Sequence, residues 1–293
     1  MELISNLAAV VAPVFLMSAM GYFWKRLGYA FDQALVTNLV TLVGAPCLVF
    51  STFTKTPLPL AELGTMAVAT IACLGIFAVV AGVGLRVAGQ PLRIYLPSLV
   101  FPNIGNLGLP VCLFAFDDRG LTLAMIFFAV TTIGQFTLGP ALAAGEFNLR
   151  RLLKIPFIYA VIVSMGLGIW GVSIPQWIAN TASLGGGLTV PLMLMALGVA
   201  LAQLRATSLP RAVTMSVIRI IMGAAGGWAV AALLDLDPVQ RGVVILESAM
   251  PVAVFNYLFA VMYNNAPEEV AGMVLVSTVI SYLTLPILVM VLV

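Results

Sequence analysis

Residues 94–116, IYLPSLVFPNIGNLGLPVCLFAF, are a run of 23 positions without a charge, and similar runs recur along the whole chain. About 20 apolar residues in a helix cross a hydrocarbon core of ~30 Å. Uncharged or nearly uncharged stretches of that length lie near 4–24, 34–54, 63–85, 94–116 and 120–144. After the basic segment EFNLRRLLK they resume near 155–173, 184–204, 212–234, 240–263 and 269–293. A soluble domain carries roughly a quarter of its residues as charges; here 8% are charged and 62% hydrophobic. The expectation is an all-α integral membrane protein of ten spans, with no connector long enough for a separate soluble domain.

Lys and Arg sort by connector. Those after spans 1, 3, 5, 7 and 9 hold Lys25, Arg26, Arg86, Arg93, Arg150, Arg151, Lys154, Arg205 and Arg211; the opposite side holds Lys55, Arg119 and Arg241. Basic connectors stay in the cytoplasm, so both termini are expected on the non-cytoplasmic side of a bacterial inner membrane. The first apolar stretch is followed, not preceded, by its basic pair, which makes it a retained span rather than a cleaved signal.

Composition also excludes. The chain has no histidine, which removes His-ligated metals and His general bases. Cys47, Cys73 and Cys112 sit in apolar runs without metal-binding spacing. A net charge of +2 with no basic run gives nucleic acid nothing to hold. The bilayer is the expected partner, and no cofactor is expected.

The chain repeats itself. VTTIGQFTLGPAL from Val130 and VSTVISYLTLPIL from Val276 align at an offset of 146, spans 2 and 7 align loosely around Pro46 and Pro191, and Pro102 and Pro251 are offset by 149. Five spans used twice, 1–145 and 155–293 around a cytoplasmic connector 146–154, put the second copy upside down relative to the first. Inverted repeats are a recurrent plan of secondary transporters.

Pro102 lies about 14 Å from the start of its span and Pro251 about 18 Å into its own, from the other face. A proline inside a span frees carbonyls that lipid cannot satisfy, so such breaks persist where protein or a wet cavity supplies partners. Asn103, Asn106 and Asn256 are amides suited to that work. Two breaks near the midplane would also aim half-helix N-termini at one point, where a carboxylate is favoured.

Glu247 and Arg219 are the charges deep inside spans, and a charge there calls for a reason. Glu247 reads as a site for Na+ or H+, with oxygens from Asn106, Thr131, Thr132, Gln135, Ser277, Thr278 and Ser281, or as a structural acid. Arg219 has three readings: a pair with Glu247, a clamp on a substrate carboxylate, or a side chain reaching the headgroups.

PNIGNLGLPV (102–111) and ESAMPVAVFNYLFAVMYN (247–264) resemble the crossover segments of the auxin efflux carrier family, which includes plant auxin exporters and bacterial malate and malonate carriers. That family is similar to the bile-acid/sodium symporters. The resemblance implies broken crossover helices 4 and 9. It implies a transport unit of spans 3–5 and 8–10 moving against a scaffold of spans 1, 2, 6 and 7, with homodimers formed through the scaffold. It also implies that Pro102, Asn103, Asn106, Pro251 and Asn256 line the substrate site. Two departures stand out: the connector after span 5 is short, and Glu247 resembles the acidic crossover residue of the sodium symporters, whose following glutamine is here Pro251.

The function these features point to is a secondary carrier of a small organic anion, a mono- or dicarboxylate, working by alternating access with or without a coupled cation. An intramembrane enzyme has no support: no HExxH, no GxGD, no paired acids at span depth and every lysine in a connector. A channel or a receptor for a small solute is the remaining alternative.

Overall fold

Backbone groups in hydrocarbon must find partners within the chain, and a helix satisfies them locally. A computed structural model of the chain describes residues 2–55, 59–144, 156–170, 172–204 and 208–293, and among them no strand forms. The connector 146–154, with Arg150, Arg151 and Lys154, and Arg205 fall outside the described residues. The helices are α1 (Glu2–Arg26), α2 (Gln33–Leu39), α3 (Ala45–Lys55), α4 (Leu60–Val87), α5 (Leu92–Val100), α6 (Leu109–Ala144) and α7 (Pro156–Ile169). They continue as α8 (Gln176–Gly187), α9 (Thr189–Gln203), α10 (Leu209–Leu233), α11 (Pro238–Ser248), α12 (Val254–Met262) and α13 (Pro267–Leu292). A π turn, Val40–Gly44, joins α2 to α3, and a second, Ile104–Gly108, opens α6.

Among the described residues seven helices are long and apolar enough to cross a membrane: Ala8–Arg26, Gln33–Lys55, Leu60–Val87, Ile104–Gly139, Gln176–Gln203, Leu209–Leu233 and Pro267–Leu292. The chain is thus a multi-pass, all-α membrane protein. Several of these helices are apolar all round, as spans are. On α4, Phe77 and Met66 are buried while Ile71 and Val79 face outward at 62% and 65% exposure. Ile104–Gly139, at 36 residues, would reach about 54 Å if straight, well beyond one crossing. It turns sharply at Phe116 and at Asp117, whose φ of 55° lies in the left-handed region, where a short polar side chain is tolerated better than a branched one.

Two groups of helices pack most closely within themselves. In the first, α1 lies along α9, and α3 along α7 and α8. A Cβ at Gly198 would overlap the Ser18 carbonyl, so α1 and α9 meet backbone to backbone. In the second, α10 lies against α4, α11 and α13, and α6 against α4 and α11. There a Cβ at Gly223 would overlap the Ser248 carbonyl, and one at Gly227 would stand 3.0 Å from Ile245 Cα. Small residues four apart admit this approach in membranes, where packing rather than water expulsion drives helix association.

Ionic clusters tie the ends of the second group. Arg119 Nη2 bridges Glu62 at 3.0 Å, in the first turn of α4, and Asp237 at 2.8 Å, the N-cap of α11. Elsewhere Arg211 in the first turn of α10 meets Glu269 in the first turn of α13 at 2.9 Å, and Tyr95 on α5 donates to the same carboxylate at 3.2 Å.

Candidate functional site

α5 stops at Val100 and α11 at Ser248, and the extended segments after them cross. Pro102 and Val252 form an isolated antiparallel bridge. The Asn103 N–H donates to the Pro251 carbonyl at 2.7 Å, and the Ala253 N–H to the Phe101 carbonyl at 3.3 Å. Side chains satisfy the remainder: Asn256 Nδ2 donates to the Phe101 carbonyl at 3.0 Å, Gln135 Nε2 to Asn256 Oδ1 at 3.2 Å, and the Val252 N–H to Ser277 Oγ at 3.0 Å. The freed backbone groups of each break are thus held by the other break and by α6, α12 and α13.

Beyond the crossing lies a cavity of about 710 Å³ between the two groups of helices. Its wall includes Pro102, Asn103, Asn106, Thr132 and Gln135 from the second group, together with the start of α12 at Ala253 and Val254. Gln33, Thr37, Asn38 and Thr41 from α2 and its π turn, with Met193 and Gln203 of α9, line the other side. Phe128, Phe136 and Phe157 supply an aromatic surface. Among the described lining residues there is no Lys, Arg, Asp or Glu. Polarity comes from amides, hydroxyls and the first-turn N–H groups of helices that begin here.

Both π turns lie on this cavity and share a local cause. Each ends in Gly-X-Pro, Gly44–Pro46 and Gly108–Pro110. The proline cannot donate to the preceding turn, and the helix widens there: Ala45 N–H reaches back to the Val40 carbonyl and Leu109 N–H to that of Ile104. Such insertions frequently mark functional sites.

The structure sorts the residues singled out in the sequence. Pro102, Asn103, Asn106, Thr132 and Gln135 share the cavity; Pro251, Asn256 and Arg219 are not in its wall. Pro251 is occupied by the crossing, and Asn256 has both ends of its amide engaged there. Ser277, Thr278 and Ser281 return their hydroxyls to carbonyls of α13. Thr131 is buried with its hydroxyl unpartnered.

Glu247 is 0% exposed, is absent from the cavity wall and has its carboxyl against Gly108, the last residue of the Ile104–Gly108 turn. Cys112 Sγ approaches its Oε1 at 3.6 Å and its Oε2 has no partner. A Cβ at Gly108 would overlap Oε2, so this glycine makes the room the carboxyl occupies. No hydrogen bond joins Glu247 to Asn106, Thr131, Thr132, Gln135, Ser277, Thr278 or Ser281, and no ion pair joins it to Arg219. Arg219 is itself 0% exposed, so it does not reach the headgroups. Its Nη2 donates to the Ser248 carbonyl at 2.8 Å and its guanidinium lies 5.0 Å from the Phe77 ring centroid. It serves the last turn of α11, where free carbonyls favour a cation.

The sequence reading passed over the polar face of α2. Gln33, Thr37 and Thr41 recur every four residues, one helix face, with Asn38 beside them in a stretch whose other residues are apolar. That spacing was a usable signal.

The chain is similar to known membrane transport proteins. A family model described as membrane transport protein matches residues 7–146 and 140–289. An uncharacterized transporter of Methanocaldococcus jannaschii is 24% identical over 302 residues, covering 94% of this chain and 96% of that protein. An uncharacterized transporter of Methanothermobacter thermautotrophicus is 27% identical over 192 residues, 63% of each chain. The family and the names of these relatives indicate a transport protein rather than an enzyme, and the chain is a member of the membrane transport protein family, the family of the auxin efflux carriers.

Proposed function

We propose that this protein is a secondary transporter that moves a small organic anion, a mono- or dicarboxylate, by alternating access of an elevator type. The observation that carries the reading is the cavity between the two helix groups, walled by both crossing breaks on one side and by α2 and α9 on the other. The starts of α6 and α12 bring partial positive charge to it, which suits a carboxylate.

The packing supports two bodies in relative motion. Each group is closed internally by backbone contact at glycine, whereas contacts between the groups are made by side chains such as Phe128 on Phe157, centroids 4.7 Å apart, and Phe15 on Tyr282, 4.4 Å. Ten spans in two inverted repeats follow when α2–α3, α5 with the first part of α6, α8–α9 and α11–α12 each count as one interrupted crossing, and α6 beyond Asp117 as another. The ionic clusters favour the inversion: α4 and α10 supply corresponding partners, as do α11 and α5, with the charges of the Arg–Glu pair exchanged.

The cavity runs from the crossing toward Gln33, Gln203 and Leu258, the ends that the basic connectors place in the cytoplasm. This is then an inward-facing state in a bacterial inner membrane, with both termini outside. Glu247, beneath the turn that lines the cavity, is the group proposed to take a coupling Na+ or H+. The scaffold of spans 1, 2, 6 and 7 is the proposed homodimer surface.

The test is counterflow in proteoliposomes. Protein loaded with unlabelled carboxylate should accumulate the labelled acid, and Glu247→Gln should abolish its dependence on a sodium or proton gradient while leaving exchange. Steady flux with no counterflow would indicate a channel, the alternative class.

A further inference from the structure

The last turn of α1 carries two adjacent cations, Lys25 and Arg26. A glycine closes the helix: Gly28 has a φ of 82°, its N–H donates to the Lys25 carbonyl at 3.1 Å, that of Tyr29 to Trp24 at 3.2 Å and that of Leu27 to Phe23 at 2.8 Å. The end carbonyls that attract basic side chains at a helix C-terminus are therefore already engaged. The two cations then part by helix face. Gly21 packs on the Met195 carbonyl and Gly198 on that of Ser18, so Lys25, one turn after Gly21, lies on the α9 side. Arg26 instead follows Tyr22 by one turn. Its Nε donates to the Tyr22 hydroxyl at 3.1 Å, and its guanidinium carbon lies 5.4 Å from the centroid of that ring. This holds the guanidinium in place and leaves its two terminal nitrogens and the Tyr22 hydroxyl proton uncommitted among the described residues. No acid occurs from Leu3 to Phe31, and Asp32 accepts from the Leu35 N–H at 2.9 Å as the N-cap of α2. Arg26 makes no ion pair with a described residue. On the other flank, Trp24 Nε1 donates to the Ala30 carbonyl at 3.0 Å and its ring lies 5.1 Å from that of Tyr29. Between the flanks Leu16, Met20, Phe23 and Leu27, each 55–72% exposed, form one apolar ridge along the helix.

We propose that this end of α1 binds an anionic phospholipid, its phosphodiester held by the Arg26 guanidinium and the Tyr22 hydroxyl, its glycerol region against Trp24 and Tyr29, and an acyl chain along the ridge. A guanidinium meets a phosphate through two parallel N–H bonds, which an ammonium such as Lys25 does not offer. Trp and Tyr rings settle at headgroup level, where the polar end of the lipid lies. A choline or ethanolamine headgroup brings a cation of its own, for which this end of the helix has no uncommitted carboxylate; a glycerol headgroup brings none. The site requires the bilayer, and neither the carrier reading nor the sidedness proposed above. The same corner starts α2, which lines the cavity, so the lipid would hold the scaffold side of the molecule.

The test is native mass spectrometry of the purified full-length protein in detergent, titrated with phosphatidylglycerol, phosphatidylethanolamine or phosphatidylcholine of the same acyl chains. Wild type should prefer phosphatidylglycerol to phosphatidylcholine by about fivefold, the worth of a basic residue at an anionic surface. Arg26→Gln should erase that preference, and Tyr22→Phe, which keeps the ring and loses the hydroxyl, should lower it. Lys25→Gln and Arg86→Gln remove a cation from the α9 side of the same turn and from the last turn of α4, and both should leave it unchanged. Unliganded melting temperatures show whether each variant folds, and Tyr22→Phe keeps the test open if Arg26→Gln does not. Equal losses from Lys25→Gln or Arg86→Gln would reduce the effect to general attraction between charges and overturn the site. A wild type without preference, a preference that survives both Arg26→Gln and Tyr22→Phe, or tighter binding of phosphatidylcholine, held by the aromatic rings, would overturn it as well. So would displacement of the lipid by inorganic phosphate, which would make this a site for the free ion. An Arg26→Gln protein changed only in its ratio of monomer to dimer would assign the ridge to a second copy of the chain and likewise sink the lipid site.

Discussion

Replacing Gly108 by alanine tests how tightly the cavity wall is joined to Glu247. The added methyl would overlap Glu247 Oε2 and stand 2.6 Å from its Cδ. Neither side yields easily. Glu247 sits on α11 next to Val243, Val244, Ile245 and Leu246, all 0% exposed, and Gly108 closes the π turn that Pro110 enforces. Overpacking a closed core costs about 1–3 kcal/mol, and with both backbones fixed the upper half of that range applies. For a chain of this size that is roughly 4–12 °C in melting temperature. Glu247→Ala removes the obstructing atoms, so the double substitution should recover about 2 kcal/mol relative to the sum of the singles. Tryptophan fluorescence during thermal unfolding of all four proteins in one detergent measures the cycle. Gly108→Ala melting within about 1 °C of wild type, or strictly additive losses, would refute the contact. Because the same turn carries Gly105 and Asn106 on the cavity, a confirmed coupling would also join cargo binding to the carboxyl mechanically.

Arg219→Ala should cost about 3 kcal/mol, from the lost bond to Ser248 and the void beside Phe77, and should leave cargo affinity unchanged; a shifted affinity at constant melting temperature would return Arg219 to the cavity. Arg119→Gln should cost no more than about 1 kcal/mol per pair and less at high salt, since the Arg119 side chain is 41% exposed; denaturant titration at two salt concentrations reads it. Maleimide should modify Cys47 in native protein and reach Cys73 and Cys112, both 0% exposed, after unfolding; mass spectrometry of the labelled chain distinguishes the three.

What the sequence made legible followed from local rules. Charge-free runs announce spans because a charge in hydrocarbon is costly, and Pro102 and Pro251 announce breaks because proline cannot continue a helix without loss. Partner choice was not local. Asn256 and Gln135 are 121 positions apart and meet at 3.2 Å, and nothing in either neighbourhood says that the two side chains bond to each other. Arg219 was open to three readings for the same reason. Its depth can be estimated by counting residues, but its direction depends on α11, which Gly223 and Gly227 draw against α10.

The two Gly-X-Pro endings go a step further. A proline in a span reads naturally as a kink, and at Pro46 and Pro110 the chain responds instead by inserting a residue into the turn before it. The insertion rotates the downstream helix relative to the upstream one and opens carbonyls on one face. In a soluble core that face would be closed by water or side chains. In a bilayer it persists beside a cavity, because a lipid-facing carbonyl has no partner. The breaks and the cavity therefore share one cause: prolines in spans whose freed backbone groups have to face something polar. At the crossing that is the other break, and along α2 it is the space a cargo would fill.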